Sequence, residues 1–298
     1  AAPELRTAIA RRHGVTPDMV LVGNGADNVI SMICLALLEP GQEVLTGAPT
    51  FPAYEHAARV AGGRAVFVPL RDHAFDLDAL AAAVGPWTKL VFVCTPNNPT
   101  GTVSPREDLL RLVDALPERV VVVVDAAYAE YAEDPRYEDG LELVRQGRNV
   151  VMLRTFSKVF GLAGLRVGYG VAPPGLIRVL ERVREPFPVN RLAQAAALAA
   201  LDDREHLERS LAVNREGKSY LYDELAARGL RYVPTEANFL LVDTGRPADD
   251  LCQRLLRRGV VVRPGTAWGL PTSIRVTIGT RDQLARFLQA LDAALEEG

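Results

Sequence analysis

Cysteine, methionine and tryptophan are scarce: three, three and two residues in a chain of 298. Cys34, Cys94 and Cys252 are odd in number and far apart, without metal-ligand spacing. That excludes a disulfide framework or a zinc module and fits reduced thiols. His13, His56, His73 and His206 also lack any spacing that suggests a metal site. No apolar run reaches the roughly 18 residues expected of a membrane span. The start, AAPELRTAIARRHG, has no basic leader followed by an apolar block, so it does not read as a secretion signal. Excess positive charge is missing as well, and a formal net charge of −3 gives no electrostatic footprint for nucleic acid.

What is present is the composition of an ordinary globular chain, 48% hydrophobic and 24% charged. The expectation is a cytoplasmic protein of one large or two ordinary domains. There is no initiator methionine, and Pro3–Arg12 reads as a helix already under way, with Leu5 and Ile9 on one face. Residues are therefore expected to be missing upstream.

Short apolar strands alternate with helices along the first part of the chain. Strands are expected at Glu43–Thr46, Ala65–Val68, Leu90–Cys94, Val120–Val124, Val150–Leu153 and Val167–Val171. Ser104-Pro105-Arg106-Glu107 combines a capping box with a proline at the first helical position, and Thr280-Arg281-Asp282-Gln283 is a second capping box. Continuous apolar runs such as VVVV before Asp125 suit strands covered on both faces. The alternation argues an α/β fold with a mostly parallel, doubly wound sheet and helices on both faces. From Leu176 the pattern changes to helices over Leu176–Arg184 and Arg191–Ala227. Short strands follow near Asn238–Val242, Val260–Val262 and Ile274–Thr277. The expected division is a large domain over 1–175 and a smaller C-terminal α+β domain within 176–298.

Ligands of open α/β sheets sit beyond the carboxyl ends of the strands, so the strand exits deserve inspection. They carry TPNNPTG after Cys94, DAAYAEY from Asp125, and RTFSK up to Lys158; earlier, VLVGNGADNVI sets a glycine turn before a helix. Alone, GNGAD could cradle a phosphate at a helix start, though a plain tight turn is favoured. PNNPTG alone is turn chemistry. Asp125 ends an entirely apolar strand, where an unpaired carboxylate is costly, so it needs a partner or serves as a cap. Lys158 is ambiguous: most lysines are solvated, and an amine becomes a good nucleophile only when burial or nearby cations lower its pKa.

Order and spacing change this. GNGAD, PTFPAY, PNNPTG, D-x-x-Y, T-x-S-K and an arginine eight residues after the lysine follow one another over nearly the whole chain. The sequence resembles the fold-type I pyridoxal-phosphate aminotransferases of classes I and II, and within them the histidinol-phosphate aminotransferase family. SKVFGLAGLRVGY and CTPNNPTG are the most specific segments of the likeness.

The resemblance implies pyridoxal 5'-phosphate as cofactor, held covalently by the amine of Lys158, which then moves a proton at the substrate. It implies Asp125 at the ring nitrogen, and Tyr128 and Asn98 at the ring hydroxyl. The phosphate falls to Gly25, Ala26 and Asp27 at the helix start, to Thr155 and Ser157, and to Arg166, whose planar fork matches phosphate. Phe51 takes the ring-stacking position. Arg275, in SIRVTIG, is the expected partner of a substrate carboxylate, and Arg263, in VVVRPG, a second arginine near the substrate. Tyr54 supports Asp125 or is simply a core tyrosine.

The activity implied is amino-group transfer between histidinol phosphate, or an amino acid, and a 2-oxo acid such as 2-oxoglutarate. It is expected in a homodimer whose partners are small molecules. An aromatic amino acid is an alternative amine. Two rivals are a phospho-amino-acid decarboxylase, recognised by carbon dioxide release without a keto acceptor, and an aminotransferase-like regulatory module.

Overall fold

The computed structural model describes residues 2–297. One sheet holds β1 (Val20–Gly23), β2 (Glu43–Ala48), β3 (Arg64–Pro69), β4 (Thr88–Cys94), β5 (Val121–Asp125), β6 (Val150–Thr155) and β7 (Gly168–Val171). Their order is β1-β7-β6-β5-β4-β2-β3. β2 to β6 pair in parallel, while β7 lies antiparallel between β6 and β1. Every residue of β5 is buried, as an apolar strand covered on both faces must be. Among the described residues no helix is long and apolar enough to cross a membrane.

A second, antiparallel sheet holds β8 (Arg231–Val233), β9 (Phe239–Asp243), β10 (Arg263–Pro264) and β11 (Ser273–Thr277), in the order β10-β11-β9-β8. Leu225, Leu240, Leu255, Ile274 and Leu291 are completely buried in its own core. The larger core takes in the seven-stranded sheet and also Ile177, Ala193, Ala197 and Phe239. The two sheets meet closely at Gly101, whose φ is +78°. A Cβ there would lie 2.0 Å from Thr235 Oγ1, so only glycine fits. The Gly101 carbonyl accepts from Glu236 N–H (2.8 Å), pinning the PNNPTG loop to the segment that leads into β9.

Three local expectations need correction. The long helix over Arg191–Ala227 is two helices, Arg191–Asp202 and Arg204–Ala227. Asp203 leaves the helical conformation and its carboxylate accepts from His206 N–H (2.9 Å), which caps the second helix. The box at Ser104–Glu107 does not form. Pro105 is the cap residue of the helix Arg106–Ala115 and offers no side-chain acceptor, and Ser104 Oγ is buried without a partner. The strand expected at Val260–Val262 starts later, at Arg263. Val260 N–H is still bonded to Leu255 O (3.0 Å), closing the preceding helix. The box at Thr280–Gln283 does form, with Gln283 Oε1 accepting from Thr280 N–H (3.0 Å).

Three helices matter below: α1 (Pro3–His13), α2 (Ala26–Leu37) and α3 (Ala53–Val60). At the end of α1, His13 is buried, its Nε2 2.8 Å from the Tyr169 hydroxyl. Burial, with help from the Arg154, Arg12 and Arg145 cations, pushes its pKa from 6.5 down to about 3.

Candidate active site

The registers of the sheet line up the strand exits. Cys94 pairs with Asp125, Asp125 with Leu153, Thr155 with Gly168, and Gly168 with Gly23. Four segments far apart in sequence therefore open side by side on one rim, beyond the carboxyl ends of β4, β5 and β6.

Where β6, β7 and α2 meet, donors converge. Gly25 caps α2 with φ +83°, and a Cβ at Gly168 would lie 2.3 Å from Ala26 N. Glycine at 168 lets the first turn of α2 rest directly on β7. Arg166 lies across this turn: a Cβ at Gly25 would approach its Nη2 to 2.5 Å. That Nη2 donates to Asp27 Oδ2 (3.0 Å), and Nη1 lies 3.5 Å from Ser157 Oγ. Ser157 N–H donates to Thr155 Oγ1 (3.1 Å). The free N–H groups of a helix start, two hydroxyls and a guanidinium thus share one corner, which is an anion seat.

One strand over, Asp125 is buried at the end of β5. Tyr54 on α3, itself fully buried, donates its hydroxyl to Asp125 Oδ2 (2.7 Å), and Ala127 N–H donates to Oδ1 (3.1 Å). Burial pushes the Asp125 carboxyl up, and the Tyr54 hydrogen bond pulls it back. Tyr54 is thus both a core residue and the partner of the acid. Phe51 packs edge-on against Tyr54, with centroids 5.7 Å apart.

Lys158 stands between these corners, its Nζ 5.1 Å from the centre of the Tyr128 ring. Burial lowers its pKa and the Arg275 cation lowers it further, against the pull of Asp125 and Asp27. Tyr128 is held by an edge contact to Phe239, 5.1 Å between centroids, and burial pushes its phenol up. Two residues on, Glu130 pairs with the buried Arg154, which also holds Asp139 (2.8 Å). This ion cluster fastens the Asp125–Glu130 segment to the strand that ends in Thr155.

The asparagine pair divides its labour. Asn97 is completely buried, accepting from Thr50 Oγ1 (2.8 Å) and donating to Pro49 O (3.1 Å). Asn98 lines the cavity and accepts from Arg275 Nη1. Arg275 and Arg263 reach the same cavity from the second sheet. Ala26, Asp27, Phe51, Asp125, Tyr128, Thr155, Ser157, Lys158 and Arg166 all line it too, while Gly25 contributes as the cap beneath. Sequence reasoning missed Trp268, Cys94, Pro52 and Ala127 on its walls. Trp268 had one available signal, a large aromatic in a glycine-rich turn between two arginines suspected of binding substrate.

These residues fit pyridoxal phosphate. The α2 corner offers donors enough for a phosphate. The acid is shielded from water and already hydrogen-bonded on both oxygens, so it is fixed in place to meet a ring nitrogen. Burial and the Arg275 cation shift the lysine towards its uncharged form, and Phe51 supplies an aromatic wall.

Comparison with known proteins agrees. The model of the family "Aminotransferase class I and II" matches residues 1–291. The chain is 51% identical to a histidinol-phosphate aminotransferase of Moorella thermoacetica, over 96% of its own length and 75% of the relative's. It is 49% identical to that of Symbiobacterium thermophilum, over 100% and 82%. The histidinol-phosphate aminotransferase of Sinorhizobium meliloti, solved in complex with pyridoxal-5'-phosphate, superposes with a TM-score of 0.93 at 32% identity, covering 100% of this chain and 83% of that one. The chain belongs to the class I and II aminotransferases, in the histidinol-phosphate aminotransferase family, and is a pyridoxal-phosphate-dependent enzyme.

Proposed function

We propose that the enzyme moves an amino group between histidinol phosphate and a 2-oxo acid such as 2-oxoglutarate, as a cytoplasmic homodimer. The names of its relatives support the amine, and one observation on this chain carries it. Besides the anion seat at Arg166, the cavity holds a second pair of guanidiniums, Arg263 and Arg275. Arg166 is partnered by Asp27, whereas the bond to Arg275 comes from the neutral amide of Asn98. A cofactor phosphate would take the first seat, leaving the second for an anionic group of the substrate.

When bound, the cofactor supplies an electron sink for the substrate's Cα–H bond. The chain's residues do the rest. Lys158 would hold the cofactor covalently through its amine and, once displaced by the substrate's amine, would carry the proton from Cα to the cofactor's C4′ carbon. Asp125, fixed by Tyr54 and Ala127, would hold a proton at the ring nitrogen. Tyr128 and Asn98 would hydrogen-bond the ring hydroxyl. Gly25, Ala26, Asp27, Thr155, Ser157 and Arg166 would anchor the phosphate, and Phe51 would pack against the ring. Arg275, in reach of Asn98, orients the carboxylate of the 2-oxo acid, and Arg263 takes a more distant anionic group. Proton transfer at Cα is served by a lysine whose pKa is lowered, because the amine must be free of its proton to act as base.

An aromatic amino acid as amine is the second reading, favoured by the Phe51 and Trp268 walls. An absorbance scan of the cofactor-loaded protein decides between them. L-histidinol phosphate is added without acceptor, with L-phenylalanine in a parallel cuvette. Loss of the yellow form at low histidinol phosphate is expected. Conversion by phenylalanine alone would overturn the proposal in favour of the second reading. Sedimentation of a fully active monomer would overturn the dimer.

A further inference from the structure

We infer that Trp268 is a specificity-determining residue of this cavity: the N–H of its indole, a ring in contact with both Arg263 and Arg275, receives the phosphate of a phosphate-monoester substrate. The inference rests on the proposed amine being histidinol phosphate. It adds to that reading a donor and a reason for selectivity.

The register of the second sheet sets the problem. Arg263 of β10 faces Arg275 of β11 directly, and like charges directly opposite on a sheet repel. Burial and then the Arg263 cation lower the pKa of Arg275, against the Tyr128 phenol, which raises it. No carboxylate pairs with either arginine among the described residues. The pair is instead held by an aromatic ring. Each guanidinium carbon lies 5.4 Å from the centre of the Trp268 ring, and that of Arg275 also sits 4.8 Å from the centre of Phe239. Aromatic faces attract guanidiniums but do not neutralise them.

The indole is held as firmly as the arginines. It ends the short turn Thr266–Trp268, closed by Trp268 N–H to Gly265 O (2.8 Å). A Cβ at Gly265 would lie 2.5 Å from Leu270 O, so this turn closes tightly only on glycine. Within this fixed cluster two donors are shielded from solvent and have no acceptor: Trp268 Nε1 and Arg275 Nε. Buried donors are ordinarily satisfied. Two orphan donors beside two uncompensated cations call for a ligand with several acceptor oxygens and more than one negative charge. A phosphate monoester brings three oxygens and close to two charges. A carboxylate brings two oxygens and one.

The test is calorimetric titration of the cofactor-loaded enzyme with imidazolylpropyl phosphate, which lacks the amine and so cannot react, and with imidazolylpropanol, which lacks the phosphate too. The wild type should prefer the phosphate. Trp268→Phe keeps a ring between the arginines and removes the N–H. It should weaken the phosphate about tenfold, the cost of losing a hydrogen bond to a charged group, and leave the alcohol unchanged. In a Trp87→Phe protein the indole emission comes from Trp268 alone, and it should change with the phosphate and not with the alcohol. Full preference retained in Trp268→Phe, or unmoved emission in Trp87→Phe, would overturn the inference while the proposed function stands. A wild type without preference would sink the choice of amine itself, and the inference with it.

Discussion

Lys158 and Asp125 both sit where burial disfavours charge. The lysine is pushed towards its uncharged form, and the acid is pushed towards its own although the Tyr54 hydrogen bond opposes the shift. Lys158→Ala should leave the protein unable to hold its cofactor covalently and should slow turnover on the order of 10²- to 10⁴-fold, the usual worth of a positioned acid–base group. A yellow, borohydride-trappable Lys158→Ala protein would refute the assignment. Asp125→Ala should keep the cofactor but lose most turnover, and near-normal rates would refute the role of the acid. Because Arg275 helps to lower the Lys158 pKa, Arg275→Leu should move the pH dependence of cofactor uptake by the apoenzyme upwards. An unmoved or lowered inflection would contradict that. At this scale the sequence was most legible where a motif pins a residue to a strand exit, as with Lys158 and Asp125. It was least legible at Trp268, because its partners lie on β10 and β11 and its role depends on a pairing register that no local pattern encodes.

The elements explain which parts of the fold could be read in advance. The VVVV run betrayed β5 because a strand buried on both faces must be apolar throughout. β1 and β8 escaped notice, being only four and three residues long. The continuous helix expected over Arg191–Ala227 was misread because both halves are rich in helix formers, so that a single capping aspartate, Asp203, sets the break. The packing of α2 on β7 depends on one missing side chain. Gly168→Ala puts a methyl group 2.3 Å from Ala26 N. It should cost about 1–3 kcal/mol as an overpacked contact, and it should weaken cofactor binding as well, since α2 can relax only by lifting the anion seat. A Gly168→Ala protein with unchanged denaturant midpoint and cofactor affinity would show that the turn yields elsewhere.

Across the whole molecule, acid should find one weak point early. The unfolded chain takes up a proton at His13 below 6.5, and the folded chain does not until about 3. Stability therefore falls as the pH drops through that window, by up to roughly 5 kcal/mol from this group. His13→Gln should flatten the decline measured by denaturant titration at a series of pH values; an equally steep decline would place the acid sensitivity elsewhere. The division of the cavity between two sheets has a different kind of consequence. The cofactor seat is built from residues 25–166 and the arginine clamp from the β10–β11 ladder, which meet through Gly101, Phe239 and the Asn98–Arg275 bond. On the proposed roles, the machinery common to every amine lies in one sheet and the choice of amine in the other. A lineage could rewrite a few positions on a short antiparallel ladder and acquire a new diet while its chemistry stayed inherited and intact.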